Sequence, residues 1–503
     1  MSVGRNAVAN YIGQGWASVV GVIFAPLYVR VLGVETYGLI GVFSVLLAWM
    51  SVFDLGLTPT LNREMARLRA GAHTPESIRD LLRSLEVIYT AIAALVVVLV
   101  WMGAPWLAHG WLNVKGLEPT LVTIAVRIMG FVVASRWLEQ VYRTALQGMQ
   151  DQVWANGAQA ILATLRWCGS YIVIAFVSPT ITAFFVWQGL SSVASVVVLR
   201  ARIQRLLPPA ARGARFSRPA LAEVRDFARG MFVTSILTLL LTQSDKLVIS
   251  KLLPLSEFSL YMLASVLAGG LLQLFTPMNT AVYPRLTEQV ALADHDGLVG
   301  TYHLACEWMS AVIIPAGLLL SVFARPVMLA WTGDPLITQR AAPLLAMLAL
   351  GMLCNGLMNL PYMLQLAHGW TSLAVRTNLV AVLLIVPAMI FAVPRFGAAG
   401  AAAAWLALNA GYLALTAHFM HRRLLPASKW RWYRDAVLLP LAGGAIVAVA
   451  IRLVLPEPGS RIGAMVIVAL AAAALYAAMG IAIPGVRRSV RSVIRPVLRV
   501  AAR

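Results

Sequence analysis

The chain has 503 residues, of which 60% are hydrophobic and 12% charged, with a formal net charge of +20. A globular protein averages roughly 25% charged residues, so this chain cannot cover a water-soluble surface, and lipid must be its solvent. That excludes a sizeable domain outside the bilayer. The arginines lie between apolar stretches rather than on one basic face, so no nucleic acid is expected as a partner.

Stretches of about 20 mostly apolar residues, the length that crosses the hydrocarbon core, recur about 14 times. The expected fold is therefore an all-α polytopic membrane protein. The first span, about 8–30, follows Arg5 and closes on Arg30, with no small-residue cleavage site behind a short apolar core. It reads as a permanent span and not as a removable leader. Asn6, Asn10 and Gln14 recur on it at i, i+4 and i+8, a polar stripe suited to glycosyl hydroxyls or to hydrogen bonding between helices. The second span, about 36–61, contains Asp54-Leu-Gly-Leu-Thr-Pro59, where glycine and proline loosen the helix. Asp54 is a candidate for ion coupling, set against a structural hydrogen-bonding role. A third span follows at about 84–107.

The fourth span, about 120–142, is the most informative. Arg136, Gln140, Arg143 and Gln147 recur at i, i+4, i+7 and i+11 on one face, and Glu139 lies within reach of Arg136 and Arg143. This is either a cationic strip lining a cavity or an ion pair near the cytoplasmic end. Arg127 lies on the opposite side, close enough to the outer end to snorkel. The fifth span, about 155–177, carries Arg166 too deep to do so. A sixth span lies at about 180–199. The seventh, about 230–252, holds the adjacent pair Asp245 and Lys246; the eighth is about 258–283, and the ninth, about 303–324, holds Glu307. Asp245, Lys246 and Glu307 are further candidates for ion coupling. Later spans are expected at about 341–366, 374–393, 397–420, 435–455 and 462–484. Leaving all the intramembrane charges in lipid would cost on the order of 20 kcal/mol, more than a typical folding stability. Most must be enclosed, paired or near an interface.

Cys168, Cys306 and Cys354 all fall in spans without metal-type spacing. No Walker-type loop and no cluster of ligating residues occurs. No cofactor, metal or catalytic residue is expected, and the protein is not expected to be an enzyme. The large basic clusters are Arg63 to Arg83, Arg200 to Arg229, Arg422 to Arg434 and Arg487 to Arg503. All follow even-numbered spans, so the positive-inside rule places both termini in the cytoplasm. The tail at 485–503 reads as an amphipathic helix on anionic headgroups or as a plain basic flank.

The longest polar interruption, 206–229, separates an N-terminal lobe of six spans (1–205) from a C-terminal lobe of six (230–424). A further helix pair (425–484) and the tail complete the chain. Six is even, so the lobes would share one orientation. A weak internal echo supports this: Glu35 and Tyr37 precede Arg63 and Glu64 as Glu257 and Tyr261 precede Arg285 and Glu288.

The stretch Pro26-Leu-Tyr-Val-Arg-Val-Leu-Gly-Val-Glu-Thr-Tyr-Gly38, then Asp54-Leu-Gly-Leu and Asn62-Arg-Glu, resembles the polysaccharide-export flippases of the multidrug/oligosaccharidyl-lipid/polysaccharide superfamily. Ala145-Leu-Gln-Gly-Met-Gln-Asp151 and Gln243-Ser-Asp-Lys246 extend the resemblance. It implies two six-helix lobes around a cavity in a bacterial inner membrane. Their alternating access would carry an undecaprenyl-pyrophosphate-linked oligosaccharide to the outer leaflet. The expected partners are that glycolipid, membrane lipids and the machinery for glycan polymerisation and chain length. Enclosed arginines suit a pyrophosphate headgroup, and with no nucleotide site an ion gradient is the expected energy source. The alternatives are a lipid II flippase, a cation antiporter of the same superfamily and a membrane-embedded glycan polymerase or ligase. The lipid II flippase family has arginines inside its first and eighth helices, which this chain lacks. A cation antiporter would favour a carboxylate-rich cavity. A polymerase or ligase would need a larger outer loop than the one near 325–340.

Overall fold

The computed structural model describes residues 3–53, 57–69, 71–217, 225–483, 485 and 487. Helices account for nearly all of it, and no β-strand occurs among the described residues. Eleven helical runs there are long and apolar enough to cross a membrane, and Ser18–Leu32 and Val34–Met50 are shorter apolar helices. The eleven coincide with expected spans three to six and eight to fourteen. Spans one, two and seven fall on helices whose side chains are described only in part, so the count of fourteen stays an expectation. Packing divides the chain into two compact units, Met1–Ser259 and Leu260–Arg503.

In the first unit α1 (Val3–Leu32) leads through Gly33, at φ +85°, into α2 (Val34–Phe53). That left-handed conformation is open to glycine and strained for most other residues. The chain continues through α3 (Leu57–Arg69), α4 (Pro75–Trp111), α5 (Pro119–Gly148), α6 (Gln152–Val177), α7 (Ile181–Leu206) and α8 (Arg225–Leu252). Thr74 caps α4 by accepting from the Ser77 amide, with Pro75 at the first helical position. The central helix is α5, which packs on α2, α3, α4 and α7, while α1 runs along α6 and α8 packs on α2. Of the apolar stretch of α5, 61% is buried, against 22% for α4, which turns most of its surface to lipid.

Close approach of α3 to α5 depends on Gly148, where a Cβ would meet the Asn62 carbonyl oxygen at 2.5 Å and the Met65 Cβ at 2.7 Å. Gly148→Val should therefore separate the two helices and destabilise the unit by about 1–3 kcal/mol, read as a lower Tm of the purified protein. The polar ends of the helices are stapled. Arg79 donates to the Pro208 carbonyl at 2.9 Å, Arg212 pairs with Asp80, and the Ser217 amide donates to Ser84 Oγ at 2.8 Å. Buried Glu86 accepts from Tyr142 Oη at 2.9 Å and from Arg200 Nε at 3.1 Å, tying α4, α5 and α7 together. Arg202 pairs with Asp151 at 2.8 Å.

The helix α9 (Leu255–Gly269) enters the second unit, followed by α10 (Leu272–Ala291), α11 (His295–Val322), α12 (Ala324–Thr332) and α13 (Pro335–Ala367). The last helices are α14 (Ser372–Phe396), α15 (Ala398–Leu424), α16 (Pro426–Val454) and α17 (Arg461–Ala482). Here α11 and α13 are the core, each with 67% of its apolar stretch buried. They pack on each other and on α10; α15 lies on α13, and α16 and α17 lie on α11. Asp334 caps α13 by accepting from the Leu336 and Ile337 amides at 2.8 and 3.0 Å. The break at Gly270 and Leu271 splits the eighth expected span into α9 and α10.

Candidate substrate-binding site

The amphipathic face of α5 turns inward within the first unit, where α6 and α7 supply its partners. Arg166 on α6 is 5% exposed and donates from Nη2 to Glu139 Oε2 at 2.8 Å and to Ser195 Oγ of α7 at 3.2 Å. Arg143 donates to Gln140 Oε1 on the same helix face. The Arg136 guanidinium lies 5.9 Å from the centre of the Phe43 ring of α2, and it forms no salt bridge among the described residues. Five of the six residues expected to form the cationic site, all but Arg127, therefore lie together along α5 and the facing wall of α6.

The electrostatics are lopsided. Three guanidinium groups, on Arg136, Arg143 and Arg166, lie near one carboxylate, that of Glu139, which pairs with Arg166, so the group carries a surplus of two positive charges. The Nε atoms of Arg143 and Arg166 are buried without a hydrogen-bond partner among the described residues. Guanidinium donors held in a fixed fork match phosphate oxygens two at a time. A partly screened surplus of such donors is chemically an anion receptor.

The other expected residues are placed differently. Arg127 stacks on the exposed Trp101 ring at 4.5 Å, and its Nε is likewise buried without a hydrogen-bond partner among the described residues. Lys246 Nζ lies 3.3 Å from Asp245 Oδ1 and donates to the Thr242 carbonyl at 2.9 Å, a local pair on α8. Glu307, in the second unit, is buried and accepts from the Gly485 amide at 2.6 Å, fixing the backbone just past α17. Asp54 and the side chains of Asn6, Asn10 and Gln14 lie outside the described residues. Ser195 and Phe43 are additions. Ser195 belongs to a stripe with Gln188 and Ser191 on α7, at the spacing that singled out the arginine face, and its signal lay in that periodicity. Phe43 had none, because one phenylalanine in an apolar helix looks like any other.

The fold is that of polytopic transporters. It superposes on the lipid II flippase MurJ in an inward closed conformation with a TM-score of 0.71 at 14% identity, covering 93% of this chain and 97% of that one. An inward-facing multidrug resistance MATE family transporter of the MOP superfamily superposes with a TM-score of 0.69 at 13% identity, covering 83% and 96%. Residues 3–290 match the family described as "Polysaccharide biosynthesis protein", more than half of the sequence, and the chain belongs to that family. A Shigella flexneri protein named "Putative O-antigen transporter" is 20% identical over 405 residues, which span 80% of this chain and 94% of that protein.

Proposed function

We propose that the protein is a flippase that carries an undecaprenyl-pyrophosphate-linked oligosaccharide from the inner to the outer leaflet of the bacterial cytoplasmic membrane. The observation that carries this reading is the surplus of buried and half-buried guanidinium groups around Glu139. A diphosphate diester is an anion that must cross a low-dielectric slab, and an enclosed arginine cluster replaces the hydration it loses there. Membership of a polysaccharide biosynthesis family supports a glycan cargo, as does the name of the Shigella flexneri relative. A carrier of this kind moves its substrate without making or breaking a covalent bond.

The carrier works by alternating access of two six-span lobes, residues 1–205 and 230–424, with both termini in the cytoplasm and an ion gradient as the energy source. The hydrocarbon chain of the substrate stays in the bilayer while the headgroup meets Arg136, Arg143 and Arg166. A glycan polymerase and chain-length machinery would take the product at the outer leaflet. Arg136→Ala removes a cation that has no salt bridge to lose, so the fold should tolerate it. Surface glycan in cells bearing this variant should fall about tenfold, corresponding to one charge-assisted contact of about 1.5 kcal/mol or more, at an unchanged amount of protein in the membrane. Normal surface glycan in that variant would remove the arginine cluster from the mechanism.

A further inference from the structure

The second unit contains a polar site with no charge in it. Along α13, Asn355 and Asn359 lie on one face at i and i+4, with Gln365 further along the same helix. With Thr377 and Asn378 of α14 and Tyr412 of α15 they line a cavity of about 180 Å³. Part of the amide set is paired: Asn355 Nδ2 donates to Asn409 Oδ1 at 2.9 Å, Asn279 to Asn359 Oδ1, and Tyr412 Oη to Asn378 Oδ1 at 3.0 Å. Gln365 is not. It is 1% exposed, yet neither its Nε2 nor its Oε1 has a hydrogen-bond partner among the described residues. A fully buried amide with both ends unused is costly in a folded core, and such groups call for a missing partner. Tyr412 opens the widened π-type turn Tyr412–Thr416, a distortion frequent at functional sites.

The cavity adjoins a second one of different character. Between α14 and α15 runs an apolar groove of about 660 Å³ that shares Thr377, Tyr412 and Thr416 with the amide pocket. Leu384, Ile385 and Leu408 line it, and Arg376 lies along it, exposed and without an ion pair among the described residues. The groove thus sets a hydrocarbon surface and a cation beside neutral hydrogen-bonding groups.

We infer that this is a glycolipid site. The amide pocket takes an uncharged glycosyl unit, Arg376 takes the phosphate, and the groove takes the adjoining polyprenyl chain. Each amide offers a donor and an acceptor on neighbouring atoms, which matches neighbouring sugar hydroxyls. A bare phosphate would gain little from a pocket without positive charge. The inference rests on the function proposed above and adds a second station for that substrate, in the second unit, occupied at a different step of the cycle from the arginine cluster.

The test compares two probes on the full chain in nanodiscs: undecaprenyl-pyrophosphoryl-N-acetylglucosamine and sugar-free undecaprenyl pyrophosphate. The wild-type chain should bind the sugar-bearing lipid about tenfold more tightly, the scale of one well-made hydrogen bond. Asn378→Leu and Gln365→Met should abolish that preference and leave sugar-free binding unchanged, whereas Arg376→Gln should weaken both lipids. Gln365→Met should also raise Tm, because it removes the unpaired amide without emptying its space. If that variant does not fold, Tyr412→Phe reads the same pocket. A full sugar preference in the pocket variants overturns the inference, as does equal binding of the two lipids by the wild-type chain. Both results leave the proposed function standing. Failure of both lipids to bind overturns the function along with it.

Discussion

Arg166→Ala is expected to stop glycan export, and Arg166→Met combined with Glu139→Gln is expected to restore stability without restoring export. The Arg166 side chain is 7% exposed and that of Glu139 is 14% exposed, in contact at 2.8 Å. Truncating one member of such a pair strands the other charge, at about 3–5 kcal/mol. Replacing both members with neutral groups of similar shape is often neutral or stabilising. The single variant alone would therefore confuse a folding defect with a transport defect, and the double variant separates them. The checks are Tm of the purified proteins and surface glycan in cells depending on each. Glycan restored by the double variant would make the pair structural. Arg166→Lys keeps the charge but loses the planar fork, so export should fall partway while Tm stays near that of the wild type.

Collapse of the ion gradients should bring transport close to zero in vesicles containing the purified protein and a fluorescent glycolipid. A diphosphate diester carries about two negative charges. Moving them out of a cell that is negative inside releases about 2.3 kcal/mol per charge per 100 mV, so about 4.6 kcal/mol per 100 mV for the pair. The arginine surplus, also about two, cancels this on the loaded step and transfers it to the return of the empty carrier, whose cations move inward downhill. The membrane potential thus pulls on the cycle in either form. Ionophores that remove the potential, the proton gradient or the sodium gradient one at a time identify the coupling component. Undiminished transport with all three removed would sink the gradient-driven reading.

Much of the fold was legible because the bilayer imposes a length on every crossing helix, and 120–142 and 462–484 need no further information. Helix breaks were harder to place. The eighth expected span is broken at Gly270 and Leu271, where a hydropathy pattern runs on unbroken and only packing decides. In the arginine cluster, the spacing of Arg136, Gln140 and Arg143 was readable on one helix. That Glu139 pairs with Arg166 of α6, not with its own neighbours, depends on how two helices face each other. The amide pocket had the same kind of signal on α13, but uncharged amides cost little in a helix, so Asn355, Asn359 and Gln365 did not stand out as Arg166 did.

The staples at the polar ends of the first unit bear on how the protein is made. Arg200, Arg202 and Arg212 end up paired with Glu86, Asp151 and Asp80, yet under the proposed orientation these arginines also direct the chain during biosynthesis. Acidic residues contribute little to that decision, so a nascent segment can be oriented by its arginines first and locked by the same side chains once its neighbours arrive. Arg200→Gln and Arg212→Gln should accordingly have two separable defects: a fraction of inverted molecules fixed at synthesis, and looser packing in those inserted correctly. Growing the cells at lower temperature should relieve the second defect and leave the first unchanged.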